Sequence, residues 1–248
     1  MNLTIDQGNS RTKVALFDDK GRIVKNFIYK SFAASDIEKL FSLYPITDSI
    51  ISSVVNIEPA VVNALNRRSK HFVLFDHDTP IPIRNGYNTP ETLGQDRLAA
   101  AVGAADLCPK QNVLIIDAGS AITYDFVSEE GEFVGGNIAP GIKMRLTMLH
   151  RMTKKLPLVE VEQNELLPLF GKTTRDAISA GVIRGIVYEV KGYIRSLNAQ
   201  LNQLTVVLTG GNAPYISNRL NNEQPPMLEP HLVLKGLNRI LEYNKTDR

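Results

Sequence analysis

Two stretches of this chain carry residues that could handle phosphate, and they follow one plan. Asp6-Gln7-Gly8-Asn9-Ser10 closes an apolar run from Leu3 to Ile5, and Asp117-Ala118-Gly119-Ser120 closes another from Val113 to Ile116. Each is followed by a β-rich run, Lys13 to Phe17 and Thr123 to Val127. Each run then ends in an acidic turn closed by glycine, Asp18-Asp19-Lys20-Gly21 and Ser128-Glu129-Glu130-Gly131. The spacing from Gly8 to Gly119 matches that from Gly21 to Gly131 to within one residue. A glycine lets the backbone turn tightly and approach a ligand. Successive amides and a Ser or Thr hydroxyl can then hold phosphate oxygens. The aspartate repels phosphate, but it can hold a hydrated cation that bridges to it, the usual arrangement for Mg²⁺. Asp and Gly are also common in plain β-turns. A single copy would read as one. Two matching copies read as a hairpin built twice, with the copies expected to face each other across a cleft.

Three further clusters look chemical and fall short. Gly171-Lys172-Thr173 resembles the end of a P-loop, but Leu166 stands where that motif needs glycine. Asp76-His77-Asp78 has no partner at a metal-ligand spacing and reads as a polar loop. His71, His150 and His231 are isolated and need no special role.

The elements that must position these residues alternate. Strands are expected at Leu3–Ile5, Lys13–Phe17 and Ile23–Tyr29. A short helix over 35–43 follows, with Ser35 as N-cap and Glu38 completing a capping box. A buried strand is expected over 49–55, a helix at Pro59–Arg68 and a strand at His71–Phe75. Alternation of this kind implies an α/β sheet. Residues 80–92 form a long irregular connection, which in a compact domain is often functional. It leads to an alanine-rich helix at Gln95–Leu107, whose small side chains imply very close packing against the other half of the chain. Asp96 stands at the start of this helix, where it could simply cap it. Arg97 could be a solvated helix residue, a structural ion pair or a carboxylate ligand. Tyr87 sits in the irregular connection, where a tyrosine often only packs.

The second half repeats the plan with strands over 113–116, 123–127 and 132–134. A glycine-rich stretch, Gly135 to Gly141, leads to a helix near 142–150. Thr174 is expected to cap a long helix reaching about Leu197. One face of that helix is an apolar stripe of Ile178, Val182, Ile186, Val190, Tyr193 and Leu197. A second ridge, Ala177, Gly181 and Gly185, would let another helix approach, within the subunit or across a dimer. A strand at Val206–Leu208 ends in Thr209-Gly210-Gly211-Asn212, and a helix over 230–243 closes the chain.

Bulk properties narrow the classes. The chain has 248 residues, 43% of them apolar, with a formal net charge of +2 and one cysteine, Cys108. Near-neutral charge points to neither nucleic acid nor membrane. No apolar run is long enough to span a bilayer, and the N-terminus does not read as a signal peptide. A single cysteine excludes an internal disulfide and suits a reducing cytoplasm. Cys108 itself reads as a small core or surface residue.

In order along the chain, Asp6-Gln7-Gly8-Asn9-Ser10, Gly94-Gln95-Asp96-Arg97, Asp117 to Thr123, Gly135 to Gly141 and Thr209-Gly210-Gly211 resemble type III pantothenate kinases. These belong to the acetate and sugar kinase, Hsp70 and actin superfamily. The resemblance covers residue 2 to about 240. It implies two duplicated ribonuclease H-like, or actin-like ATPase, halves (1–110 and 111–248), each a mixed five-stranded sheet with flanking helices. The C-terminal half would also carry the dimerisation helices. It also implies ATP-dependent phosphorylation of pantothenate to 4′-phosphopantothenate, the first committed step of coenzyme A synthesis. The implied cofactors are Mg²⁺ and a monovalent cation, K⁺ or NH₄⁺, and the implied assembly is a homodimer.

Carried over residue by residue, Asp6, Gln7, Gly8, Asn9, Ser10, Arg11, Thr12 and Lys13 would cradle ATP, and Asp6 would hold Mg²⁺ through water. Ser120 would also contact ATP, and Asp117 would hold the monovalent cation. Asp96 would be catalytic. Tyr87, Gly94, Gln95, Asp96, Arg97 and Thr174 would contact pantothenate. Ser10 and Ser120 stand where relatives usually have Thr, which keeps the hydroxyl. Asn212 stands where Asp is common, which touches the nucleoside end of the site. Two other readings share the fold: a kinase of another small alcohol, and a non-catalytic ATP-binding accessory protein.

Overall fold

The computed structural model describes residues 1–162, 165–220 and 225–246. In chain order the elements are β1 (Asn2–Gln7), β2 (Thr12–Phe17), β3 (Ile23–Tyr29), α1 (Ala34–Leu43), β4 (Asp48–Ser53), α2 (Pro59–Arg68), β5 (His71–Leu74), β6 (Arg84–Asn85), α3 (Gln95–Leu107), β7 (Val113–Ala118), β8 (Ala121–Val127), β9 (Glu132–Pro140), α4 (Ile142–Arg151), α5 (Thr174–Asn198), β10 (Thr205–Thr209), α6 (Ala213–Leu220), β11 (Met227–Leu228) and α7 (Leu232–Thr246). The chain forms two compact units. One comprises Met1–Lys110, Val127–Gly135 and His231–Arg248; the other comprises Gln111–Phe126 and Gly136–Pro230.

In the first unit the sheet order is β3-β2-β1-β4-β5. The β1–β2 and β2–β3 pairs are antiparallel, and β1–β4 and β4–β5 are parallel. The central strand β1 is covered on both faces, so Thr4 is buried as fully as Leu3 and Ile5. Leu3 and Ile5 join a core with Val14, Leu16, Ile37, Ile51 and Leu65. Helix α7 lies against β1, β2, β4 and β5, and α3 packs on α7.

The α3–α7 contact is main chain on main chain. A Cβ on Gly103 would stand 2.5 Å from the Leu232 carbonyl oxygen, and one on Gly236 would overlap the Ala99 carbonyl. The alanine-rich helix therefore does pack very closely, and its partner comes from the end of the chain.

A polar network ties the chain ends together. Asp48 on β4 receives hydrogen bonds from Thr47 (2.7 Å) and His71 (2.7 Å), and an ion pair from Lys245 on α7 (3.0 Å). Lys245 also reaches Glu242 and Asn2, and Asn2 donates to Asn238. His71 thus has a structural task that its isolation in the sequence does not suggest. Burial by itself would raise the Asp48 carboxyl. The bonds from Thr47, His71 and Lys245 outweigh it and bring the pKa from 3.8 to about 2.

The other sheet has six strands where five are expected, in the order β11-β10-β7-β8-β9-β6: the first five repeat the order of the first sheet, and β6 pairs in parallel with β9 at the edge. The β7–β10 and β10–β11 pairs are again parallel. The hairpins repeat down to single hydrogen bonds. Gly8 N–H donates to Arg11 O (3.1 Å) and Gly119 N–H to Ala121 O (3.0 Å), so the second tip is one residue shorter. Asp18 N–H donates to Arg22 O and Ser128 N–H to Glu132 O, closing turns at Gly21 (φ 70°) and Gly131 (φ 75°). The expected apolar stripe of α5 faces the core, with Ile178, Val182, Ile186 and Val190 buried and Tyr193 and Leu197 packed at its edge.

Several local expectations shift. Helix α1 starts one residue early and is capped at Ala33, whose N–H donates to Asp36 Oδ2 (2.9 Å), not by Ser35 and Glu38. Only the acidic half of a capping box is present, because alanine has no side-chain acceptor. Residue 173, not Thr174, caps α5: Thr173 Oγ1 accepts from Asp176 N–H (3.1 Å). The strand expected over 132–134 does not end there: β9 continues through the glycine-rich stretch to Pro140. Elements β6, α6 and β11 have no counterpart in the sequence reading. Among the described residues no helix is long and apolar enough to cross a membrane.

Two outcomes follow from this packing. Replacing Gly236 with alanine forces α3 and α7 apart and lowers stability by about 1–3 kcal/mol, read as a drop in thermal unfolding midpoint. Asp48 has a lowered pKa, so its contribution is complete above about 3.8 and is lost as pH falls through about 2. Urea titrations across that window show the wild type losing about 1–2 kcal/mol more than Asp48→Asn does.

Candidate active site

The first hairpin is positioned by the central strand. Asp6 sits at the buried end of β1, 8% exposed, and pairs in register with Lys13 on β2. Gln7 pairs with Thr12 beyond them, and Asn9 and Ser10 stand exposed at the tip. Gln7, Gly8, Asn9, Ser10, Arg11 and Thr12 together line one side of a pocket of about 230 Å³. Lys30, Ser31, Asn56 and Glu58, with the apolar Phe32 and Val55, line the rest. Such a pocket suits polyanionic oxygens: amides, a hydroxyl and cationic side chains gather there, with the Asp6 carboxylate at the base of the turn.

The same signal did not point to Lys30. It lies just past β3, and only the antiparallel pairing of β2 with β3, Thr12 opposite Tyr29, brings it alongside the hairpin.

The second hairpin is gripped by its neighbours. Asp117 pairs with Thr209, where β10 ends. The chain then turns through Gly210 at φ 88°. A Cβ there would collide with Asp117 Oδ1 and stand 2.7 Å from the Ala118 carbonyl carbon. Asn212 N–H donates to Ala118 O (2.9 Å), and Asn212 Nδ2 reaches Gly119 O at 3.4 Å. Gly141 N–H donates to Ser120 O (3.1 Å). The late Gly-Gly-Asn thus clamps the hairpin backbone, while Ser120 remains exposed and Asp117 half-buried.

The third cluster lies at the start of α3 in the first unit. Gly94 is the N-cap residue, and Asp96 lies in the first turn. Arg97 N–H donates to Asp96 Oδ1 at 2.8 Å. A Cβ on Gly94 would stand 2.7 Å from that same oxygen, so residue 94 must be small for the carboxylate to keep its place. Gln95 Nε2 donates to Leu93 O, and Gln95 Oε1 is buried without a hydrogen bond. Arg97 is only 6% exposed, so it is not a solvated helix residue. Its guanidinium lies 5.6 Å from the centre of the Tyr87 ring and 5.8 Å from that of Phe133.

Tyr87, Asp6, Asp96 and Arg97 all belong to the first unit, and Asp117, Ser120 and Thr174 to the second. Thr174 is exposed at the first helical position of α5. Among the described residues no group of three or more His, Cys, Asp or Glu side chains gathers to hold a metal. The donors that do fit one are single carboxylates beside hairpin amides, which suit a hydrated divalent ion shared with phosphate.

A family profile described as type III pantothenate kinase matches residues 2–196. The type III pantothenate kinase of Phocaeicola vulgatus is 43% identical over 244 residues, covering 98% of this chain and 99% of the relative. Among solved structures, a Baf family transcriptional activator from Campylobacter jejuni superposes with a TM-score of 0.63 at 21% identity, covering 98% of this chain and 99% of that one. The ADPNP-bound activator of the 2-hydroxyisocaproyl-CoA dehydratase from Clostridium difficile gives 0.54 at 12% identity, covering 99% and 94%. These likenesses show that the chain shares its mixed α/β fold with both proteins.

The clamp on the second hairpin makes a prediction. Gly210→Ala meets both a positive φ and an occupied space, so it destabilises by about 1–3 kcal/mol. Gly211→Ala, whose Cβ would meet nothing within 4 Å, stays within about 1 kcal/mol of wild type. Chemical denaturation of the two variants reads the difference.

Proposed function

The chain belongs to the type III pantothenate kinase family, and on that premise we propose how its residues carry the reaction. The enzyme uses ATP to phosphorylate pantothenate in coenzyme A biosynthesis. In this reading the Asp6–Lys13 hairpin and Ser120 bind ATP. Asp96 receives the primary hydroxyl of pantothenate. Tyr87, Gly94, Gln95, Arg97 and Thr174 hold the rest of the substrate. The observation that carries the assignment is Asp96 in the first turn of α3, its carboxylate anchored by the Arg97 amide.

Phosphoryl transfer asks a protein mainly for positioning and charge neutralisation. The N-terminal end of α3 favours a negative charge at the Asp96 carboxylate. Alignment matters more than proton abstraction, because the hydroxyl loses its proton late in a loose transition state. Asp96 accepts a hydrogen bond from the hydroxyl and aligns its oxygen with the γ-phosphorus. The O–P bond forms as the bridging bond to ADP breaks, and the proton passes to the carboxylate. Lys13 and the hairpin amides offset charge on the phosphate oxygens. Mg²⁺, held by Asp6 through water, would supply further neutralisation of the β- and γ-phosphates when bound. Asp117 would hold K⁺ or NH₄⁺.

Arg97 suits the carboxylate of pantothenate, since a guanidinium can grip one with two hydrogen bonds. We also assign the protein to the cytoplasm and to a homodimer. The ridge on α5 supports the second assignment. A Cβ on Gly181 would meet nothing within 4 Å among the described residues, and Tyr188, Met144 and Met148 are exposed nearby in the sequence and on α4.

Asp96→Asn should cut kcat by about 10²–10⁴-fold while ATP still binds, as expected for loss of a proton acceptor. A coupled ADP-release assay with pantothenate, with and without K⁺, measures it; near-wild-type turnover in the variant removes Asp96 from its role. Turnover with glycerol or hexoses alone would favour a kinase of another alcohol. Nucleotide binding without turnover would favour an accessory protein.

A further inference from the structure

We propose that Phe133 is a positioning residue for pantothenate recognition, acting through Arg97 and Tyr87; this rests on the substrate reading given for those two residues. Phe133 lies on β9, far from them in sequence, and is fully buried. Its ring stands 6.0 Å from that of Tyr87 at 41°. The Arg97 guanidinium lies 5.8 Å from its centre and 5.6 Å from that of Tyr87. One cation is thus in contact with two aromatic rings that also touch each other.

The main chain of Phe133 serves the same end. It pairs with Asn85 on β6, and Gly86 N–H donates to Phe133 O at 2.9 Å. Tyr87 N–H then donates to Asn85 Oδ1 at 3.0 Å. The irregular connection is therefore pinned to β9 two residues before Tyr87, and the ring of Phe133 stops both Tyr87 and Arg97 from swinging.

The physics favours a role in positioning over simple filling. A guanidinium gains by lying over a π face, and the gain grows when water is excluded. Its planar fork binds a carboxylate with two hydrogen bonds only while the plane is held. Rings that fix the plane set the energy of carboxylate capture without touching the phosphates. An aliphatic side chain of similar size would fill the space but withdraw one π face from the guanidinium.

The test compares Phe133→Leu with Phe133→Met in steady-state kinetics on the full chain, with thermal unfolding measured alongside. The expected result is an increase of about tenfold in KM for pantothenate, the size of one cation–π contact. KM for ATP and kcat should stay within about twofold to threefold. An unchanged KM for pantothenate in a folded variant overturns the proposal. So does a parallel rise in both KM values with a fall in kcat, which marks general loosening. Independently of turnover, the Arg97 side-chain Nε–H resonance should move toward the ordinary arginine position when the ring is removed; an unmoved resonance also overturns it. The wild-type control reads the substrate assignment separately: no pantothenate-dependent turnover there refutes that assignment, while the resonance still decides the contact.

Discussion

Main chain can touch main chain only where no side chain stands between, and the first unit depends on this at the crossing of α3 and α7. Gly103 and Gly236 let the two helices meet at Leu232 and Ala99. Without that approach α7 could not lie on the sheet while holding α3, and the start of α3 would not be fixed. Asp96 and Arg97 occupy that start. The Asp48–Lys245 network closes the same unit by tying β4 and β1 to α7. Packing, chain closure and the placement of a candidate catalytic carboxylate are thus one problem with one solution.

The second unit solves a related problem with a different clamp. Its hairpin is held by the turn after β10, where Gly210 passes against Asp117 and Asn212 bonds the backbone beside it. In both sheets a short hairpin follows the central strand, and the same order of five strands surrounds it. Amides at a tight turn, with an aspartate at its base, suit a phosphate and a hydrated cation. A protein that transfers a phosphoryl group needs little more than such positioned charge.

Much of this was legible because the signals are local. Strand-hairpin-strand patterns, the helix at Pro59–Arg68 and the alanine-rich helix at Gln95–Leu107 follow from apolar periodicity and breakers; the two helices match the structure at both ends, and the hairpin strands extend one or two residues beyond the expected ones. The cap of α1 was misread because Ser35 is a better capping type than Ala33, yet Asp36 supplies the acceptor that decides the start. The continuation of β9 through Gly135 and Gly136 was hidden because glycines weaken a strand's pattern. Phe133 could not be found from sequence: its link to Arg97 is a tertiary contact across β6 and β9. His71 was dismissed for the same reason, since its partner Asp48 lies on another strand.

The central claim is that this site places a γ-phosphoryl group on the primary hydroxyl of pantothenate. The most direct measurement is the ³¹P NMR spectrum of the product made from ATP and pantothenate. The account predicts a phosphomonoester signal coupled to two protons, as a phosphate on a CH₂ oxygen must show. A signal coupled to one proton, from the secondary hydroxyl, or inorganic phosphate alone, would contradict it.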